Sequence, residues 1–182
     1  MTVYLLCNPA FIKDFLIIDK NVDDSIIRTA IMDAQEIDVH QLLGSELLSE
    51  IKQQASTNTL TPDNQLLLDE YIRPCIARFA LVYLVLLLNN RFTARGVVNK
   101  ESDSSSIVSG NDYDNIRDEL RNYAEFYAQR MLKFIIANIN KYNKYYSASD
   151  VAKMKSKLNS YTINWNLSGI QRDDLNNSRL CM

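Results

Sequence analysis

The stretch Phe79-Ala80-Leu81-Val82-Tyr83-Leu84-Val85-Leu86-Leu87-Leu88 is apolar at every position, and Arg78 and Arg91 flank it. A membrane span needs about 20 such residues, twice what this run offers. The run therefore predicts a central helix buried all round. Its cover comes either from its own chain or in part from neighbours, and the run alone does not choose.

Working back from it, Leu67, Tyr71, Cys75, Phe79 and Tyr83 recur at i+4 spacing, so the helical pattern reaches upstream. Thr61-Pro62-Asp63 is its start: Thr as cap, Pro at the first helical position, Asp in the first turn. Pro74 must kink this helix or begin a new one, because it has no N–H and crowds the preceding turn. Gln53 to Leu60 reads as a loop. Before it, Asn21-Val22-Asp23-Asp24-Ser25 can cap a helix whose apolar face is Ile27, Ala30, Ile31, Ala34 and Ile37, continuing through Leu42 and Leu43. Gly44 sits where a left-handed C-cap belongs, and Ser45 can cap a second helix through Leu47, Leu48 and Ile51. Residues 3 to 18 lack a clean period. Val3 to Cys7 suits a short strand interrupted by Pro9, with a helical turn at Ile12, Phe15 and Leu16.

Downstream, residues 91 to 110 break the pattern. Arg91 to Val98 reads as extended with a bend at Gly96, Glu101 to Ser106 is polar, and Ile107-Val108 suits a return strand. The longest helix is expected from about Asn111 to Tyr142. Ile116, Leu120, Tyr123, Tyr127, Met131 and Phe134 form one stripe on it. Ala124, Ala128, Leu132, Ile135 and Ile139 form a second, adjacent one. After Tyr142 apolar residues thin out. Lys153, Lys155 and Lys157 alternate, and Tyr161, Ile163, Trp165 and Leu167 alternate in turn, which favours an extended segment.

The expected architecture is mainly α: a helical bundle with long helices, a small β-hairpin between the last two long helices, and an extended C-terminal arm. Residues 1–143 form the domain, with the hairpin near 91–110, and 144–182 form the arm. Composition agrees. The 182 residues include only 4 Gly and 3 Pro, too few for the tight turns of a sheet-rich fold.

Chemistry is sparse. His40 is the one histidine, and its i+4 spacing from Glu36 suits a local pair at a helix end. Cys7, Cys75 and Cys181 are odd in number and far apart, which argues against a zinc ribbon or a disulfide framework and favours a reducing compartment. Thr2 to Leu6 is too short for a secretory signal, and Asp14 and Asp19 follow soon after. Phosphate-loop, dinucleotide and hydrolase motifs are missing. The acidic pairs Asp23-Asp24 and Asp118-Glu119 suit helix starts, and Asp69-Glu70 and Asp173-Asp174 have no converging partners in the sequence. The expectation is no enzyme, no cofactor and no metal.

Charge is unevenly spread beneath a net value of -2. Residues 1–74 carry 5 basic and 12 acidic groups, net -7, while 75–182 carry 15 and 10, net +5. Either the halves pair inside one domain, or the subunit has one acidic and one basic flank suited to head-to-tail association. A reading from another class is a nucleic-acid-binding module using Lys153, Lys155 and Lys157 with Tyr145, Tyr146, Tyr161 and Trp165, against a pI of about 5.4.

The order of motifs carries a resemblance. It runs Asn21-Val22-Asp23, Ile31-x-x-Ala34-Gln35-x-Ile37, Leu42-Leu43-Gly44-Ser45-x-Leu47, Leu60-Thr61, and Leu67-Leu68-x-x-Tyr71-Ile72-x-Pro74. It ends with Gly96-Val97-Val98 and Ala124-Glu125-x-Tyr127-Ala128-x-Arg130. This resembles the head–tail connector, or ring, proteins of crAss-like bacteriophages, themselves similar to tailed-phage head-completion adaptors. It covers residues 3 to about 143, and the tail only loosely through Trp165 to Ile170. The resemblance implies a virion structural protein: a ring of copies, commonly twelve-fold, between portal and tail, through which DNA passes without sequence-specific binding. It implies the portal and further ring, tail or neck proteins as partners and no membrane. Its setting would be the virion neck, after assembly in the host cytoplasm. It transfers no catalytic residue. By analogy with the hairpins and termini that hold neighbouring rings, it offers Arg95, Gly96, Val97 and Val98 in the hairpin as contacts. In the arm it offers Tyr161, Trp165, Leu167 and Ile170.

Overall fold

A computed structural model describes residues 4–93, 96–99 and 110–145, with side-chain surroundings given outside 89–113. The fold is mainly α, as expected. Its axis is one continuous helical rod formed by α5 (Pro62–Leu67), a π-helical stretch (Leu68–Ile72) and α6 (Arg73–Asn89). The Thr61 side chain accepts from the Asn64 N–H at 3.2 Å, and Pro62 takes the first helical position. Pro74 neither breaks the rod nor starts a new one. The turn before it widens, with the Arg73 N–H reaching the Leu68 carbonyl, five residues back. One extra residue per turn absorbs the missing proline donor locally.

By length and composition, Pro62–Leu88 is long and apolar enough to cross a membrane, but half of its most apolar window is buried by the chain's own residues. Burial is complete at its upstream end, where Leu67, Leu68, Ile72, Cys75, Ile76, Ala77 and Phe79 are sealed. It then fades, and Leu88 is exposed. The "buried all round" reading therefore holds at Phe79 and Ala80 but not beyond: Leu81, Tyr83 and Val85 are half-buried between the buried Val82 and Leu84, and Leu88 is exposed.

Two helices sandwich this rod. On one side α2 (Asp24–Asp33) packs against α6 through Ile27, Ala30 and Ile31. Asp23 caps α2, its side chain accepting from the Ser25 N–H at 2.8 Å. A second π-helical stretch, Ala34–Val39, leads into α3 (His40–Leu43). Gly44 ends it with φ 76° and ψ 162°. The positive φ is as expected, but the ψ is extended rather than left-handed helical, in a region essentially reserved for glycine. Ser45 does not cap α4 (Ser45–Ser56); its hydroxyl instead lies 2.8 Å from His40 Nε2. Helix α4 also runs to Ser56, four residues into the expected loop, because Ala55 follows Ile51 onto the buried face.

On the other side lies α7 (Gly110–Ala137). It stops earlier than expected. The Asn138 side chain donates to the Phe134 carbonyl at 2.9 Å, and two short 3-10 turns, Ile139–Lys141 and Asn143–Tyr145, follow. Tyr142 closes the end by donating its hydroxyl to the Asp63 carbonyl at 3.0 Å. Of the two α7 stripes, the second is the core-facing one: Ala124, Ala128, Leu132 and Ile135 are buried, joined by Met131. Small residues at 124 and 128 let α6 and α7 approach closely.

The N-terminal segment holds no strand among its described residues. The Gln35 side-chain amide takes that role, accepting from the Leu6 N–H at 2.9 Å and donating to the Tyr4 carbonyl at 3.1 Å. Arg73 Nε donates to the Leu6 carbonyl at 3.0 Å. Pro9 does not interrupt anything. It is the first residue of α1 (Pro9–Leu16), with Asn8 as the cap. Between α6 and α7, β1 (Asn90–Thr93) pairs antiparallel with β2 (Gly96–Asn99). Gly96–Asn99 is thus itself a return strand; the expected one at Ile107–Val108 lies outside the described residues, as does the arm from residue 146 on.

Candidate interaction surface

Helix α7 turns a second face outward. Ile116, Glu119, Tyr123, Phe126, Arg130 and Lys133 repeat with the three- and four-residue spacing of a heptad seam. Of these, Ile116 is 42%, Tyr123 51% and Phe126 63% exposed. Large exposed apolar side chains aligned on one helix are a feature of contact surfaces, whereas isolated ones need no explanation.

Aromatic packing fixes the base of this face. Phe11 stacks on Phe15, Phe15 meets Tyr127 edge-on, and Tyr127 meets Phe126 edge-on, with centroids 5.4, 6.3 and 5.8 Å apart. Arg78 lies between two of these rings, its guanidinium 5.4 Å from the Phe15 centroid and 5.2 Å from that of Tyr127. Its buried Nε has no hydrogen-bond partner among the described residues. Further along, Arg130 covers the Tyr71 ring at 5.0 Å, and Tyr71 stacks on Phe134 at 4.1 Å. Among the described residues neither arginine, nor Lys133, has a carboxylate within ion-pair distance. The charges of the two arginines rest on π faces, which attract a cation without neutralising it.

Elsewhere the two charged halves of the chain do pair. Arg121 meets Asp38 at 3.4 Å, Lys141 meets Asp63 at 2.7 Å and Lys144 meets Glu50 at 3.2 Å. The expected alternatives are therefore mixed: part of the imbalance closes inside the domain and part remains at its ends. Asp38 is the most enclosed of these groups, 5% exposed, and also accepts from the Tyr83 hydroxyl at 2.8 Å. Burial raises its carboxyl above the usual range, while Tyr83 and Arg121 pull the other way. His40 pairs locally as expected, 3.8 Å from Glu36, and burial lowers its imidazole.

Of the contact residues expected from the sequence, Gly96, Val97 and Val98 fall in β2, opposite Thr93, Phe92 and Arg91. Arg95, Tyr161, Trp165, Leu167 and Ile170 lie outside the described residues. The α7 face was missed. Its signal was present as the seven-residue spacing of Ile116, Tyr123 and Arg130, with Phe126 between. Among the described residues no three His, Cys, Asp or Glu side chains gather as a metal set.

A mainly helical domain with an outward aromatic and cationic helix face is the class that fold and surface define. The chain belongs to a family of unknown function (DUF6712), whose model matches residues 39–154, from the second π-helical stretch past the end of α7. No curated protein matches it significantly. No solved structure does so either.

Proposed function

We propose that this protein is a structural subunit of a bacteriophage virion, a head–tail connector. Copies of it would form a ring, twelve-fold to match the portal it sits on, between portal and tail, with DNA passing through. The observation that carries the reading is the outward α7 face, where Ile116, Tyr123 and Phe126 stay exposed on the longest helix. A subunit that works by holding neighbours needs such a face, and an enzyme's chemistry does not. The resemblance of motif order supplies the setting, and the charge that remains unpaired at the domain ends suits repeated association.

In this reading the β1–β2 pair, with Gly96, Val97 and Val98, projects as a hairpin toward an adjoining ring. Residues 144–182, with Tyr161, Trp165, Leu167 and Ile170, serve as an extended arm gaining order on a partner. No catalysis, cofactor or membrane is involved, and the site of action is the virion neck. The test is co-expression with the cognate portal protein followed by native mass spectrometry. The reading expects a portal complex carrying a ring of this chain. A portal that never retains the chain overturns it.

A further inference from the structure

Two surfaces, one acidic-rimmed and one aromatic and cationic, lie apart on the domain. At the C-terminal end of α6, Asp19, Asn21, Val22, Asp23, Ile26, Leu87 and Leu88 line a hollow of about 340 Å³. Its floor is aliphatic and its rim carries two exposed carboxylates. Asp19 and Asp23 have backbone partners, the N–H groups of Asn21 and Ser25, but no cation within ion-pair distance among the described residues. Toward the other end, beside Tyr71 and Arg78, stands the α7 face with Phe126 outermost and Arg130 and Lys133 one and two turns on. Along α6, Leu87 in the hollow lies nine residues from Arg78 at the base of Phe126, a rise of about 14 Å.

The two surfaces are complementary in shape and charge. One is an aromatic knob flanked by cations; the other is an aliphatic hollow rimmed by carboxylates. They lie on different helices of the same rigid packing, so one copy cannot close them on itself across that distance. We infer that the occupant of the hollow is a second copy of this chain. Phe126 of one copy enters the Val22, Ile26, Leu87 and Leu88 hollow of the next, and Arg130 and Lys133 meet Asp19 and Asp23. Such an interface is heterologous, and repeated it gives a ring or a filament. The inference deepens the connector reading and rests on it for the closed form of the assembly.

Two charge-altered proteins test it. One carries Arg130→Glu with Lys133→Glu. The other carries Asp19→Lys with Asp23→Asn, since Asn retains the α2 cap. Sedimentation and native mass spectrometry at low salt are expected to show wild-type association weakening as salt rises. Each altered protein alone should associate about tenfold or more weakly, with circular dichroism unchanged. Mixing the two should restore association, because each interface between the two different proteins joins opposite charges. Phe126→Ser should weaken association as well. A wild-type chain that stays monomeric at all concentrations, altered proteins that associate like wild type, or a mixture that stays apart overturns the inference. The connector reading fails separately: a chain absent from portal complexes but associating through these surfaces fails that reading alone, and one retained by the portal with unaffected altered proteins fails only this inference.

Discussion

The Tyr83 hydroxyl donates to Oδ2 of Asp38 at 2.8 Å, tying the core helix α6 to the π-helical stretch that follows α2. Arg121 of α7 reaches the other carboxylate oxygen at 3.4 Å and covers the Phe79 ring at 5.9 Å. One buried carboxylate thus joins the three elements of the central sandwich. Each depends on the others, since an enclosed charge is tolerated only while its partners remain.

Tyr83→Phe removes one partner without changing the packing volume much. The carboxylate is left with Arg121, and the variant should lose about 1–3 kcal/mol. Urea denaturation measures this. No loss would show that water replaces the hydroxyl.

The same carboxyl gives a pH dependence of definite sign. Its folded-state value lies above the unfolded value of 3.8, chiefly through burial. The folded protein therefore holds that proton more tightly, and stability from this group is present below 3.8 and lost as pH rises through the raised folded value. Asp38→Asn cannot ionise. Its stability relative to wild type should rise with pH across that window and then level off. A difference independent of pH would mean Asp38 titrates alike in both states.

Gly44→Ala places a Cβ at φ 76° and ψ 162°. The expected cost is about 1–3 kcal/mol, read as a lower thermal midpoint. A midpoint equal to wild type would indicate that the turn between α3 and α4 relaxes freely.

Gln35 is fully buried and satisfies the Leu6 N–H and the Tyr4 carbonyl. Gln35→Leu keeps the bulk and orphans both backbone groups. Hydrogen exchange at Leu6 should accelerate markedly more than at core amides such as Ile76. Equal change at both sites would mean global destabilisation instead.

Cys7 and Cys75 are both buried, and burial pushes the Cys7 thiol up to about 12 and raises that of Cys75 as well. Neither supplies thiolate near neutral pH, so both should resist a maleimide in the folded protein and react after denaturation. Modification of either in native conditions would contradict the buried positions.

Much of the fold was legible because its helix starts are chemical. Asp23 and Thr61 cap where their side-chain oxygens predict, and Gly44 takes the positive φ expected of it. The π-helical stretches were not legible, since one extra residue per turn leaves local composition unchanged. Pro9 was misread because the preceding apolar residues suggested a strand, although Asn8-Pro9 repeats the cap-then-proline logic of Thr61-Pro62. The α7 stripes were legible as spacing but not as inside and outside. Burial there was decided by Ala124 and Ala128, whose small side chains turn that side toward α6 and leave Tyr123 and Phe126 in solvent. Charge sums over whole halves raised pairing inside the domain as one alternative but could not name Asp38, Glu50 and Asp63 as the acids that find partners there.

The central claim is that copies of this chain form a ring in a virion neck. A cryo-EM map of phage particles bearing this protein tests it most directly. The account predicts repeated copies encircling the DNA channel between portal and tail, with the α7 face of each against its neighbour. A neck complete without this chain, with its copies placed elsewhere in the particle, would contradict it.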